Sequence, residues 1–313
     1  MRLAVAVLLA VVAACAAAAP GALAAGGPSG APIPPALAAL EQKMLALQIK
    51  SESFSLTESV EGPAGPPSGP FGQIGLVLAH RAVSQVIVGV TGQESFEPVE
   101  ASFQDSVLGQ KTNGRLIGTT LYIEAPAISR FDGGRPWVSD PGQNLASSTG
   151  AGAGLLAGAP ANASEQSFAK LTELLGLTDG ITESPAQTVD GQATSVFKAS
   201  IDLARISSLS SPGKRTVLRH LQPVADLQVY LAEDGLPVRI VLALKLKPEH
   251  GRVYELVTQS DLLAIDIPVS VQAPPASQTI SLHRLEQIEK RRKHPAKRSS
   301  ASGSARSRRI TAK

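Results

Sequence analysis

The residues best placed to do chemistry surround the only cysteine of this chain of 313 residues. Cys15 ends an apolar stretch, residues 3–14, and directly follows Val12-Ala13-Ala14. This arrangement looks like a bacterial lipobox, in which a thiol accepts an acyl group and small preceding residues fit the signal peptidase. We therefore predict that Cys15 is an acylated lipid anchor and the first residue of the mature chain.

The same segment also allows ordinary secretory cleavage. Met1-Arg2 gives a short positive start, and Ala22-Leu23-Ala24 before Ala25 is a cleavage site of the A-x-A type. Residues 1–24 would then be the export signal, or 1–14 if Cys15 is acylated, and residues 25–34 a flexible tether. Either way we expect an exported protein at the outer face of the cytoplasmic membrane, in the periplasm or in the cell wall.

The rest of the chain carries no pattern typical of catalysis. A single cysteine excludes an intramolecular disulfide and a cysteine-based metal site. The histidines His80, His220 and His250 are isolated, and no H-E-x-x-H, Walker or G-x-S-x-G motif occurs. We therefore predict a protein that is not an enzyme, with no catalytic residues, no metal site and no cofactor.

The charge is divided unevenly along the chain. Residues 281–313 hold eleven basic and two acidic residues, whereas the remainder holds 18 basic and 24 acidic residues. The net charge of +3 therefore describes an acidic body with a basic end. We expect residues 281–313 to be a disordered tail, either simply solvated or bound to anionic envelope polymers or phospholipid head groups. Nucleic acid is not expected as a partner of an exported chain.

Periodicity predicts many short strands with a few helices, and hence an α+β fold. The strongest signal is Glu233-Asp234-Gly235, since Asp-Gly favours the hairpin turn that matches strand twist. We predict helices at 37–47, 165–175, 203–209, 214–221 and from 281 onward. The predicted strands are 53–57, 73–80, 82–89, 99–106, 115–117, 119–124, 192–201, 226–232, 236–246, 252–261 and 265–272, with Pro274-Pro275 closing the folded part.

Several phrases stand in the order found in a known group of proteins. They are LYIEAP at 121–126, GRPWV at 134–138, TVDG at 188–191, VYLAEDGLPVR at 229–239, SDLL at 260–263, IPVSV at 267–271 and Pro274-Pro275. Together they resemble the LolA-like superfamily of periplasmic lipoprotein carriers, and most closely its actinobacterial lipoproteins of the LppX/LprG type. The resemblance covers residues 35–280, which would form one lipid-binding domain.

The resemblance implies a half-open antiparallel β-barrel with helices covering its concave face and an apolar cavity between them. It further implies binding of lipid acyl chains, or of an acylated glycolipid or lipoprotein, which the protein carries or presents. An acyl cavity needs apolar strand faces without buried charges, although an ordinary core would use the same side chains. The candidate cavity residues are Leu121, Ile123, Phe168, Leu171, Leu227, Val229, Leu231, Val238, Ile240 and Leu242.

A second function is compatible with the same sequence. The fold could serve as a surface interaction or sensor module that carries no lipid and is held to the envelope by the anchor and the basic tail. The two functions differ in what they require inside the domain, since a module of this kind needs a filled core and a carrier needs a continuous apolar cavity.

Overall fold

The computed structural model describes residues 49–62, 85–107, 110–124, 129, 134–141, 178–203, 221–246 and 253–293. The export signal with Cys15, the tether, the predicted helices at 37–47 and 165–175 and the predicted strand at 73–80 lie outside these ranges.

Twelve strands make up almost all of the described chain. The bounds of the first six are β1 (Ser51–Glu61), β2 (Gln85–Phe96), β3 (Val99–Val107), β4 (Gln110–Ile117), β5 (Thr120–Glu124) and β6 (Trp137–Asp140). Those of the second six are β7 (Thr178–Val189), β8 (Gln192–Asp202), β9 (Leu221–Ala232), β10 (Pro237–Leu246), β11 (Glu255–Ile265) and β12 (Thr279–Ser281). One α-helix, α1 (Leu282–Lys293), follows β12 directly.

All twelve strands belong to one sheet with the order β12-β6-β5-β4-β3-β2-β1-β11-β10-β9-β8-β7. Every described pair is antiparallel except β12 and β6, which run parallel. In the described residues β12 and β7 remain edges, so the sheet is open. An open, antiparallel-rich sheet agrees with the expected half-open architecture, whereas the expected helical cover is not shown by the described part of the chain.

The hairpins form where the sequence places short turns. Gly235 has a φ of +80°, and the backbone N–H of Leu236 donates to Oδ1 of Asp234 at 2.9 Å between β9 and β10. Between β7 and β8, Asp190 and Gly191 have φ values of +50° and +85°. Positive φ at both central residues matches the strand twist, and Gly and Asp are among the residues that tolerate it. The predicted turn at Asp234-Gly235 is therefore confirmed, and a second hairpin turn forms at Asp190-Gly191.

The end of the folded part was predicted wrongly. The expected strand at 265–272 is absent, because β11 already ends at Ile265 and Asp266 turns the chain with a φ of +51°. Pro274-Pro275 does not close the fold either. β12 follows these prolines, pairs with β6 and buries Ile280 at 1% exposure. Sequence patterning undervalued this strand because it has only three residues.

Two further elements differ from the prediction. β7 was not predicted because its sequence, TDGITESPAQTV, has little apolar alternation and contains a proline. A proline is tolerated at a sheet edge, where its missing N–H faces no partner strand. Leu221, the last residue of the predicted helix at 214–221, begins β9 instead and is buried.

The two faces of the sheet differ in what they bury. We call inner the face that carries the large buried cluster, which extends over β1–β6 and β8–β12. The outer face carries a small cluster of Val189, Val196 and Tyr230, with Val238 and Val241 packed against it. α1 packs on the inner cluster through Leu282, Leu285 and Ile288. The segment predicted as a disordered tail therefore begins with a helix that joins the core.

The single tryptophan serves packing, as expected of a lone Trp. Trp137 of β6 is 7% exposed, and the guanidinium of Arg115 lies 5.0 Å from its ring centroid. Arg115 Nη1 also donates to the backbone oxygen of Gln272 at 2.6 Å, and the backbone N–H of Val271 donates to Glu100 Oε2 at 3.0 Å. The segment that follows β11 is thus fixed across β3 and β4.

Candidate ligand-binding site

Most of the candidate cavity residues in the described part of the chain share the inner face. Five of them are buried in the large cluster, and two more are half-buried and packed against it. Phe168 and Leu171 lie outside the described residues. The structure therefore brings together seven of the ten, which are Leu121, Ile123, Leu227, Val229, Leu231, Ile240 and Leu242.

Val238 does not belong to this set, because it packs in the outer cluster. Pro237 pairs with Leu231 and Arg239 pairs with Tyr230, so β10 uses two residues for one step of β9. Such a β-bulge interrupts the regular alternation of side chains. Val238 was therefore wrongly predicted to lie with the other candidate cavity residues.

Aromatic rings lie directly on glycines in the middle of the inner face. Across β1, β2, β3 and β4 the register aligns Phe54, Gly92, Phe103 and Gly114. A Cβ at Gly92 would lie 3.0 Å from the Phe54 ring, and one at Gly114 would collide with the Phe103 ring. The rings thus lie against the backbone of the neighbouring strands, and glycine is required at both positions.

Carboxyl groups interrupt this apolar face, contrary to the expected absence of buried charge. Glu52, Glu58, Glu94 and Asp105 are between 1% and 5% exposed. All four lie on the inner face. Glu52 and Glu58 alternate with Phe54 on the same side of β1, and Glu94 pairs with Glu52 in the neighbouring strand. Asp105 is two residues from Phe103 in β3 and therefore lies on the same side as that ring. Asp140, also buried on this face, has a polar interaction of its own. The inner face is therefore acidic as well as apolar.

Glu58 and Asp105 form the less satisfied pair. Among the described residues, neither carboxyl oxygen of Glu58 has a hydrogen-bond partner, and Asp105 lacks one at Oδ1. Burial raises the pKa of Glu58 to about 7, and the nearby charge of Asp105 adds to this increase. Burial likewise raises the pKa of Asp105 to about 6, against a backbone hydrogen bond from Ser106 that lowers it. These groups are costly to ionise, because the described residues replace little of the lost water.

Glu52 and Glu94 form a second pair and face each other across β1 and β2. Their carboxyl groups share a hydrogen bond, which requires one of them to be protonated. Burial raises the pKa of both groups, and their mutual repulsion raises that of Glu94 further. Glu52 Oε2 and Glu94 Oε1 remain without a partner. The two carboxyls of this pair thus provide part of each other's hydrogen bonding, whereas Glu58 has no such bond to Asp105.

Basic side chains are segregated to the opposite face. The described strands contain five, Lys111, Arg115, Lys198, Arg239 and Lys245, and the register places every one of them on the outer face. Three of them are paired there: Arg239 Nε contacts Asp261 Oδ1 at 2.5 Å, Lys245 Nζ contacts Asp226 Oδ2 at 2.5 Å, and Arg115 lies over the Trp137 ring. The inner carboxyls consequently have no counter-charge on the described strands.

This geometry can accept hydrogen bonds and positive charge inside an apolar surface. No group of three or more potential metal ligands occurs in the described residues. None of these carboxyls was among the predicted site residues. A usable signal existed in β1, where Glu58 follows Phe54 and Leu56 in the same alternation and precedes Val60.

No family model matches the sequence, and no curated protein matches it either. Solved structures do match. LprF from Mycobacterium bovis has 15% identity and a TM-score of 0.41, covering 79% of this chain and 100% of that one. The Mycobacterium tuberculosis lipoprotein LppX has 15% identity and a TM-score of 0.40, covering 77% and 100%. A DUF1329 family protein from Desulfovibrio piger has 7% identity and a TM-score of 0.24, covering 77% and 95%.

The resemblance to LppX-type lipoproteins indicated by the sequence phrases is thus found again among these structures. With such low similarity we base the function on this chain's own side chains. In the part of the chain that the structure describes, no helix has the length and apolarity needed to cross a membrane.

Proposed function

We propose that this protein is an exported envelope protein that holds the apolar chain of a lipid or acylated ligand on its inner face and carries or presents it. The supporting observation is the combination of an extensive apolar face with buried carboxyl oxygens for which the described residues provide no partner. In a filled protein core such groups would be strongly unfavourable, since an unpaired buried polar group costs about 1–3 kcal/mol. A chamber that accepts a ligand or water relieves this cost.

The apolar part of the face supplies the affinity. Transfer of an acyl chain from water to such a surface is favourable by about 0.8 kcal/mol for each CH₂ group. The inner cluster extends from β12 to β8 through neighbouring strands, so an extended chain can contact side chains from several of them. No catalytic step is part of this proposal.

A substitution on β10 tests the proposal in the protein itself. Ile240 is half-buried and packs on the inner cluster, whereas its neighbour Val241 packs in the outer cluster. We expect Ile240→Trp to weaken binding of a fluorescent acyl probe with an uncharged head group at least about tenfold, because the larger side chain fills space on the inner face. Val241→Trp is the matched control and should bind the probe as the wild type does.

Circular dichroism and thermal melts of both variants establish that they are folded. Wild-type protein that takes up no probe would contradict the proposal and favour the interaction or sensor module instead. Equal loss of binding in the two variants would also contradict it, since the effect would then not depend on the inner face.

We also propose that Cys15 is acylated and anchors the protein at the membrane. This part rests on the sequence Val12-Ala13-Ala14-Cys15. Labelled fatty acid fed to expressing cells should enter the wild type and not Cys15→Ala. Equal labelling of the two proteins, or none in either, would show that the signal is processed at another position, such as after Ala24.

A further inference from the structure

The most unusual chemical feature of the molecule is Glu58 with its surroundings. Its side chain is on the inner face, the residue is 2% exposed, and both carboxyl oxygens lack a hydrogen-bond partner in the part of the chain that the structure describes. Asp105, at 4% exposure, lies on the same face with Oδ1 unpartnered. The register sets Glu58 opposite Val88 and Asp105 opposite Val90, so β2 alone separates the two acids. Val88 and Val90 are two residues apart, so two strand spacings together with this offset amount to about 12 Å between backbones.

The surroundings supply hydroxyls but no positive charge from the described strands. Thr258 pairs with Glu58 across β1 and β11, and Thr112 pairs with Asp105 across β3 and β4. Even so, the three carboxyl oxygens remain without partners. Two neighbouring acids without a counter-charge form a site of negative potential within an apolar surface.

We propose that Glu58 and Asp105 bind the ammonium end of the ligand, so that the cargo is an amphiphile with an amine next to its apolar chain. This inference rests on the proposed function. An ammonium group has three donors and a positive charge, so it can bond to both carboxyls and offset their repulsion. A hydroxyl can donate but offsets no charge, and an anionic head group would be repelled.

The Glu52–Glu94 pair is not assigned this role. Its two carboxyls already share a hydrogen bond, which leaves one free oxygen on each residue. It lies six residues from Glu58 along β1, or about 20 Å in an extended strand, with Phe54 and Leu56 between. This pair therefore lies too far from Glu58 to contact the same ammonium group.

Three probes of equal chain length separate the alternatives: decylamine, decanol and decanoate. Each competes with a bound fluorescent acyl probe that has an uncharged head group, on the mature full-length protein at neutral pH. We expect decylamine to bind about tenfold more tightly than decanol, and decanoate to bind most weakly. Glu58→Gln and Asp105→Asn should each reduce the preference for decylamine over decanol, while the affinity for decanol changes little.

Glu61→Gln is the matched control, because Glu61 is on the same strand but exposed. It should retain the full preference. Equal affinity of decylamine and decanol in the wild type would overturn the inference, as would an unchanged preference in both Glu58→Gln and Asp105→Asn. Those results would leave acyl binding intact. Failure of the fluorescent probe itself to bind would instead overturn the proposed function and this inference with it.

Discussion

At the scale of single residues, the inner-face acids control how stability depends on pH. In the unfolded chain a glutamate loses its proton near the ordinary pKa of 4.5, but in the folded protein Glu58 keeps it until the pH reaches about 7. Between these values the folded state binds more protons than the unfolded state. Stability must therefore fall as the pH rises through this range, and level off above it.

The size of this effect for Glu58 is roughly 3 kcal/mol for a pKa displaced from 4.5 to about 7. We expect Glu58→Gln to reduce the loss of stability between pH 5 and pH 8, because glutamine does not ionise. Urea denaturation at pH 5 and at pH 8 measures the free energy of unfolding of each protein, with Glu61→Gln as the exposed control. The decline should not vanish, since Asp105 and the Glu52–Glu94 pair also have raised pKa values. An identical decline in wild type and Glu58→Gln would contradict the burial of this group.

The alternation of side chains also explains which residues could be placed on the correct face from the sequence and which could not. Leu227, Val229 and Leu231 alternate without interruption and were correctly placed on one face. Val238 was misplaced because the bulge at the start of β10 leaves no clear mark in the sequence. Glu58 was missed although it follows the alternation of Phe54 and Leu56. Alternation predicts which face a residue occupies, but not whether an acid there is paired.

At the scale of elements, strands with alternation and a turn signal were the predictable ones. The β9–β10 hairpin follows from Asp234-Gly235, and β3 and β8 have nearly the predicted bounds. β7 and β12 were missed because their pairing comes from neighbouring strands rather than from their own composition. β7 is a largely exposed edge strand, and β12 has three residues held by β6.

The C-terminal elements give a direct test of where the folded part ends. A chain that stops after residue 275 loses β12 and α1, including Ile280, whereas one that stops after residue 293 keeps both. We expect the shorter chain to melt at a distinctly lower temperature and the longer one to melt like the full chain. Removing the Ile280 side chain alone, as in Ile280→Ala, should cost about 2–5 kcal/mol because it is fully buried.

Thermal and urea denaturation of these three variants provide the measurement. Equal stability of the chains ending at residues 275 and 293 would contradict the packing of β12 and α1 on the sheet. It would support the original prediction that Pro274-Pro275 closes the fold.

At the scale of the whole molecule, charge is sorted between faces as well as along the chain. The basic residues of the described strands lie on the outer face, and unpartnered acids lie on the inner one. The net charge of +3 reveals neither the difference between the two faces nor the difference along the chain. An open sheet with an apolar, acidic inner face is suited to an amphiphile that is apolar along most of its length and positively charged at one end.

The central claim is that the inner face holds a lipid, and one measurement tests it most directly. The mature protein is purified from the cells that express it and extracted with organic solvent, and the extract is analysed by mass spectrometry beside that of Ile240→Trp. We predict an acyl-chain amphiphile in near-stoichiometric amount with the wild type and much less with the variant. No co-purified lipid in the wild type, or equal amounts from both proteins, would contradict the claim.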